Sequence, residues 1–168
     1  MTDEIINRVA NSRLKVLDLE DYYPKGKRIV FDLKPWLYEG FVLREKEFRK
    51  ALKAHDWSQY EHSHIALTCS TDAIVPAWAY MLIATYLEPF AKTIFKGNLE
   101  ALEASIYQDI ISKLDLTEFQ DQPVIIKGCS NKPVPLNAYT MLINKLKPLA
   151  RSVKYGEACS AVPLYKRR

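Results

Sequence analysis

Apolar and polar positions along this chain alternate between two periods. Arg28-Ile29-Val30-Phe31-Asp32-Leu33 follows a turn at Pro24-Lys25-Gly26-Lys27 and reads as a strand. From Leu43 to Ala54, Leu43, Phe48, Ala51 and Leu52 recur near helical spacing among charged residues. Ile65-Ala66-Leu67-Thr68-Cys69 is a short apolar run, read as a buried strand. Pro76 to Phe90 reads as a helix with proline in its first turn, where no amide partner is lost. Thr93-Ile94-Phe95 is a brief strand stopped by Gly97. The same order follows again: a helix from Leu99 to Leu114, a strand from Val124 to Lys127, a helix from Pro135 to Leu149 and a strand from Ser152 to Tyr155, stopped by Gly156. Pro89 and Pro148 fall near the last turns of their helices and are expected to end or kink them.

The recurrence extends to residue identity. Leu43 to Asn98, moved by the 59 positions that separate Pro76 from Pro135, lands on Leu102 to Glu157. Asp56 then meets Asp115, Ala79-Tyr80 meets Ala138-Tyr139, and Leu87, Pro89 and Ala91 meet Leu146, Pro148 and Ala150. Strands alternating with helices of this length argue for βαβ units. The expected fold is therefore α/β: a mostly parallel sheet of about five strands with helices on both faces, built by tandem duplication of about residues 43–98 and 102–157. The alternative is a pair of small α+β lobes. No linker or low-complexity run divides the chain, so residues 1–168 read as a single domain with an internal repeat.

Composition narrows the class without naming a function. With 48% hydrophobic and 26% charged residues the chain is that of an ordinary globular protein. A formal charge of +4 is mildly basic, and no block of five basic residues marks a nucleic-acid surface; Lys166-Arg167-Arg168 reads as a solvated tail. Met1-Thr2-Asp3-Glu4 lacks a basic region and an apolar core, so no secretion signal is read. Ala73 to Leu87, the most apolar stretch, is too short to span a bilayer. Three cysteines, an odd number, without a secretion signal suggest thiols in a reducing, cytoplasmic setting.

Those cysteines are the feature that points to chemistry. Cys69-Ser70 leads to Pro76, Cys129-Ser130 to Pro135, and Cys159-Ser160 to Val162-Pro163. In a parallel sheet, ligands collect beyond the carboxyl ends of the strands. Cys69 ends one strand, Cys129 closely follows another and Cys159 lies beyond the last, so topology places three thiols on one edge, with Asp32 near the end of the first strand. Helix N-termini following Cys69 and Cys129 would lower their pKa. Three thiolates with one vacant or oxygen ligand would suit Zn²⁺ or an iron–sulfur centre. The spacing matches no CxxC or Cys/His finger, and cysteine is also a common small core residue. Cys69 aligns with Gly128 at the strict shift, so Cys129 is offset by one.

Other candidates carry less. His55 is expected at the opposite edge from the thiols, and its counterpart is Leu114, which binds nothing. Asp56-Trp57-Ser58 and Asp115-Leu116-Thr117 read as a shared helix-exit turn. His62 and His64 form a lone His-x-His and read as surface polar residues. Tyr22-Tyr23, Trp36 and Tyr38 are expected to form an aromatic packing cluster near the first strand. No glycine-rich phosphate loop and no GxSxG elbow occur.

Asp18 through Gly26, His55-Asp56-Trp57-Ser58, Cys69-Ser70 through Pro76 to Tyr80, and Gly128-Cys129-Ser130 to Pro135 resemble an uncharacterised bacterial family, domain of unknown function 2480. The resemblance covers almost the whole chain. It implies a small single-domain bacterial protein and an association with gene neighbourhoods of iron–sulfur cluster assembly and thiol redox proteins; it implies no activity and no catalytic residues. The leading expectation is a thiol-dependent accessory protein in which Cys69, Cys129 and Cys159, with Asp32, hold a metal or iron–sulfur centre or relay sulfur; a protein partner is expected and nucleic acid is not. The competitors are a non-catalytic scaffold with structural cysteines and a small-molecule binder using Asp32 and the aromatics around Trp36. Oligomeric state stays open.

Overall fold

A computed structural model describes residues 14–128, 131–157 and 160–168. Among the described residues the chain forms four α-helices and seven strands in the order β1 (Lys15–Leu17), β2 (Arg28–Asp32), α1 (Glu45–Ala54), β3 (His64–Thr68), α2 (Ala77–Leu87), β4 (Thr93–Lys96), α3 (Leu99–Lys113), β5 (Pro123–Ile126), α4 (Leu136–Leu146), β6 (Ser152–Tyr155) and β7 (Val162–Lys166). All five expected strands and all four expected helices are present. Two strands were not expected, and the strands form two sheets rather than one. The three-stranded sheet has the order β2-β3-β4, the four-stranded sheet β1-β5-β6-β7. Every pairing is parallel except β6 with β7.

The chain divides into two compact units, residues 24–106 and residues 1–23 with 107–168. Within residues 24–106, β3 is central and buried along nearly its whole length, as a parallel strand flanked on both sides must be. Ile65 and Leu67 point into a core completed by Phe31 of β2, Phe48 and Leu52 of α1, and Ile83 and Leu87 of α2. Each such side chain, fully buried, contributes roughly 1.5–3 kcal/mol. In the other unit Val124 and Ile126 of β5 meet Leu17 of β1, Leu142 and Leu146 of α4 and Val153 of β6. Tyr107 is fully buried there, and its hydroxyl donates to the Leu19 carbonyl at 3.0 Å.

Local structure follows the 59-position shift closely. α2 buries Ala79, Ile83 and Leu87, and α4 buries Ala138, Leu142 and Leu146, one position per turn on one face. Both helices stop two residues before a proline, which cannot donate the next helical bond. His62 (φ 57°) and Asp121 (φ 56°) take the same left-handed conformation, and their amides donate to Phe90 and Leu149 respectively. The Asp56 carboxylate accepts from the Ser58 amide at 3.0 Å, and Asp115 from Thr117 at 2.9 Å, which is the expected helix-exit turn.

His64, expected at the surface, is 3% exposed. Its Nε2 lies 3.2 Å from the Lys25 carbonyl, so it donates there; Nδ1, 3.0 Å from Thr93 Oγ1, then accepts the threonine proton. The loop before β2 is held around it. Arg28 donates to the carbonyls of Pro24 and Gly26, both at 2.8 Å, and pairs with the mostly buried Glu103. Gly26 (φ +136°) has no room for a side chain: a Cβ would sit 2.6 Å from the His62 carbonyl oxygen. Burial, foremost, and the nearby Arg28 and Lys92 charges hold the His64 pKa below the ordinary histidine value, against the pull of the Lys25 carbonyl and Glu103. Above about pH 6.5 the folded and unfolded chains both carry a neutral imidazole and stability is full. As pH falls through that value the unfolded chain takes up a proton that the folded chain resists, so stability is lost. Thermal melts at pH 7.5 and pH 5.0 should show a drop of a few degrees for the wild type. His64→Gln should be less stable at pH 7.5 and show a smaller difference between the two pH values.

Candidate functional site

The carboxyl ends of β2 and β3 are joined by one side chain. Asp32, the last residue of β2, pairs with Thr68, the last of β3. Its Oδ1 accepts from the amides of Lys34 (3.0 Å) and Ser70 (2.9 Å), and its Oδ2 from the Ser70 hydroxyl (2.5 Å). The first bond turns the chain into the 3₁₀ turn Lys34–Trp36; the other two fasten the loop that leaves β3. Burial pushes the Asp32 carboxyl upward, but the Ser70 hydroxyl, the two amides and Lys34 outweigh it and hold it below the usual carboxylate range. A carboxylate has about four lone-pair positions, and three are engaged here. Asp32 is thus built to hold the loop, with one position left for a ligand.

Cys69 sits between Thr68 and the fastened Ser70. Its thiol is free and half-buried, and it packs against the core of this unit. Tyr80 of α2 faces the same edge: burial, then the neighbouring Cys69 and Asp32, raise its hydroxyl pKa. The Lys96 ammonium, from the end of β4, lies 5.6 Å from the Tyr80 ring centre. The helix expected from Pro76 begins at Ala77, and the loop 70–76 separates its N-terminus from Cys69.

The second unit repeats this plan with other partners. Asp18 follows β1, and its Oδ1 accepts from the Glu20 amide at 2.9 Å to start the 3₁₀ turn Leu19–Tyr22. Lys127, just past β5, reaches Asp18 at 2.9 Å. Burial raises the Asp18 carboxyl; the Lys127 hydrogen bond, the Glu20 amide and the Lys127 and Lys132 charges prevail and lower it. Tyr139 of α4 stands where Tyr80 stands in the first unit, with its pKa raised by burial, then by Tyr155, Asp18 and Glu20. Val16, Asp18, Asp21, Lys127 and Glu157 line an open groove of about 470 Å³. Sequence reasoning singled out Asp32 and missed Asp18. The signal was present, because Val16-Leu17-Asp18-Leu19 and Val30-Phe31-Asp32-Leu33 match at a spacing of fourteen positions.

Cys129 and Cys159 lie outside the described residues. The segments leading to them leave β5 and β6 of the four-stranded sheet, whereas Cys69 follows β3 of the three-stranded one. Among the described residues no group of three or more His, Cys, Asp or Glu side chains is placed to hold a metal. The histidines do other work. His55 packs on Trp36, Phe31, Trp57 and Tyr60, with Nε2 3.0 Å from the Tyr60 hydroxyl, so it is a packed ring near the end of β2. The expected aromatic cluster is divided: Trp36 joins this stack, Tyr23 packs in the core of the other unit, and Tyr38 lies on a hairpin.

The profile of the family described as Protein of unknown function (DUF2480) matches residues 3–167. The chain belongs to that family. No curated protein and no solved structure matches it. Among the described residues no helix is long and apolar enough to cross a membrane. Family membership leaves the strand-end edge to be read from its own chemistry. Replacing Asp32 by Ala removes the acceptor from two amides and a hydroxyl in a solvent-accessible turn. The loss should be about 1 kcal/mol, as for a deleted cap. Because the loop is then unfastened, Cys69 should react faster with iodoacetamide, read by mass spectrometry of the native protein, while Asp32→Asn should fall between.

Proposed function

We propose that this chain is a thiol-dependent accessory protein whose strand-end edges present Cys69, Cys129 and Cys159 for binding a metal or an iron–sulfur centre. The observation that carries the reading is the setting of Cys69. A free, half-buried thiol lies at the carboxyl end of a parallel strand, on a loop fastened by Asp32. Parallel sheets bind ligands at that end. Zn²⁺ or a cluster would take the thiolates, with Asp32 offering at most one lone pair. Sulfur relay is the variant of this reading that needs no metal. A thiolate there would attack the outer sulfur of a donor persulfide and release the donor as its thiolate.

The recurrence of elements and turns at 59 positions supports an origin by tandem duplication. In that history a Cys-Ser pair follows the central strand of each copy. We place the protein in the reducing cytoplasm of a bacterium, where an odd set of thiols persists, acting with a protein partner. The competing reading is a non-catalytic interaction protein with structural cysteines, which the packing of Cys69 against the core favours.

Anaerobically purified protein should contain zinc or iron in near-stoichiometric amount by elemental analysis, and a Cys69/Cys129/Cys159→Ser variant should contain none. Absence of metal with one thiol alkylated rapidly near neutral pH would transfer the reading to sulfur relay. Absence of metal with uniformly slow alkylation would leave only the structural role.

A further inference from the structure

The two units differ in how the chain is held after β3 and after β5. After β5, the chain is tied back to the turn that follows β1. The Asn131 amide donates to the Glu20 carboxylate at 2.5 Å. The Lys132 ammonium donates to the Glu20 carbonyl at 3.1 Å and lies 5.8 Å from the Tyr23 ring centre. At the 59-position shift, Asn131 and Lys132 correspond to Asp72 and Ala73; at the fourteen-position shift, Glu20 and Tyr23 correspond to Lys34 and Leu37. None of the tying groups is kept. The chain after Leu37 instead makes a tight hairpin, in which the Tyr38 and Val42 backbones exchange hydrogen bonds of 2.8 and 3.0 Å. Glu39 (φ 48°) and Gly40 (φ 75°) form its turn.

Hairpin and loop wall an open groove of about 630 Å³ beside Trp78. Phe41 is 62% exposed, Val42 53% and Ile74 95%, in one contiguous lining. A contiguous apolar lining of this kind marks an interaction site. The charge on it is specific. Glu45 is committed to Arg49 at 2.8 Å, and Arg44 stacks on Tyr38 and reaches Glu47. Asp72, which lines the groove, and Glu39, in the hairpin turn, have no hydrogen bond or ion pair among the described residues. Of the two charged residues lining the groove, Glu45 and Asp72, the one left uncommitted is therefore negative, on a chain whose formal net charge is +4.

We propose that this groove docks an apolar–basic segment of a partner protein. Two apolar side chains enter between Phe41, Val42, Ile74 and Trp78, and a lysine or arginine lies against Asp72. The other unit shows the same edge closed by its own lysine, Lys132, over an aromatic ring. A second copy of the chain is the weaker occupant, because a twofold contact sets the same patch against itself and brings Asp72 and Glu39 towards their own images. The proposal stands apart from the thiol reading and needs none of the cysteines.

The test uses a phage-displayed library of random dodecapeptides panned on the full-length protein, with enriched peptides synthesised and their affinities measured by fluorescence anisotropy. Enriched sequences should combine two apolar positions with a lysine or arginine. Ile74→Ser should weaken them at least tenfold. Asp72→Lys should weaken them about tenfold and improve binding of the same peptides with glutamate in place of the basic residue. Both side chains are exposed, so both variants should melt as the wild type does. Failure to enrich basic peptides, or enriched peptides indifferent to both substitutions, would overturn the proposal. So would a dimer in sedimentation that Ile74→Ser converts to monomer, which would assign the groove to a second copy. None of these readouts depends on metal content or thiol reactivity.

Discussion

The aspartate at the end of each leading strand is the constraint on which the rest of the edge depends. A parallel strand must be followed by a crossover, so the chain has to turn sharply at its carboxyl end and travel back. Asp32 and Asp18 make that turn by accepting the amide two residues on. Each then uses its other oxygen across the sheet, Asp32 to Ser70 and Asp18 to Lys127. Hydrogen bonds to an ionised carboxylate are about twice as strong as neutral ones. Because both carboxyls are held below their ordinary range, the ties persist above the acid region and are lost only as pH falls through those lowered values. The loop carrying Cys69 is thereby positioned by charge rather than by apolar contact alone.

The two periods made most of the architecture legible. Strand and helix signals near residues 28–33, 65–69, 93–95, 124–127 and 152–155 and over the four helices were each strong enough to be read locally. β1 was not, because Lys15-Val16-Leu17 is too short to show alternation and is defined by pairing with Val124 to Ile126, more than a hundred residues away in sequence. Pairing of that range is bought with loop-closure entropy and leaves no local trace. β7 was hidden by Pro163, which belongs only on an edge strand, and β7 is the edge strand of its sheet. Local patterns likewise do not say which strands share a sheet, so two sheets were read as one.

Strand direction alone puts Asp32 and Cys69 at the carboxyl ends of β2 and β3, where the structure has them. It could not give the Ser70 tie, which depends on side-chain reach across two strands. The histidines show the opposite limit. His64 looked polar and therefore external, yet a strand that is central in a parallel sheet is buried at its first residue as well, and the imidazole meets its needs with a carbonyl and a hydroxyl. His55 stands where the other copy has leucine, and it behaves as a packed ring whose Nε2 meets Tyr60 and Gln59.

The loop 69–76 joins the two features on which the functional readings rest. Its first residue is the thiol, its second is held by Asp32, and its sixth, Ile74, is the most exposed large apolar side chain among those described. A loop fixed at Ser70 and again at Pro76, where α2 starts, has few internal freedoms. Covering Ile74 and reacting Cys69 therefore draw on the same short segment. Any preference of one for a particular loop conformation must be returned by the other, since coupling between two sites is reciprocal. In the other unit Asn131 and Lys132 are tied to the turn after β1. The two units thus differ in how residues 72–73 and 131–132 are held more than in the order of their elements. The edge of the unit spanning residues 24–106 is the one to which we assign a partner.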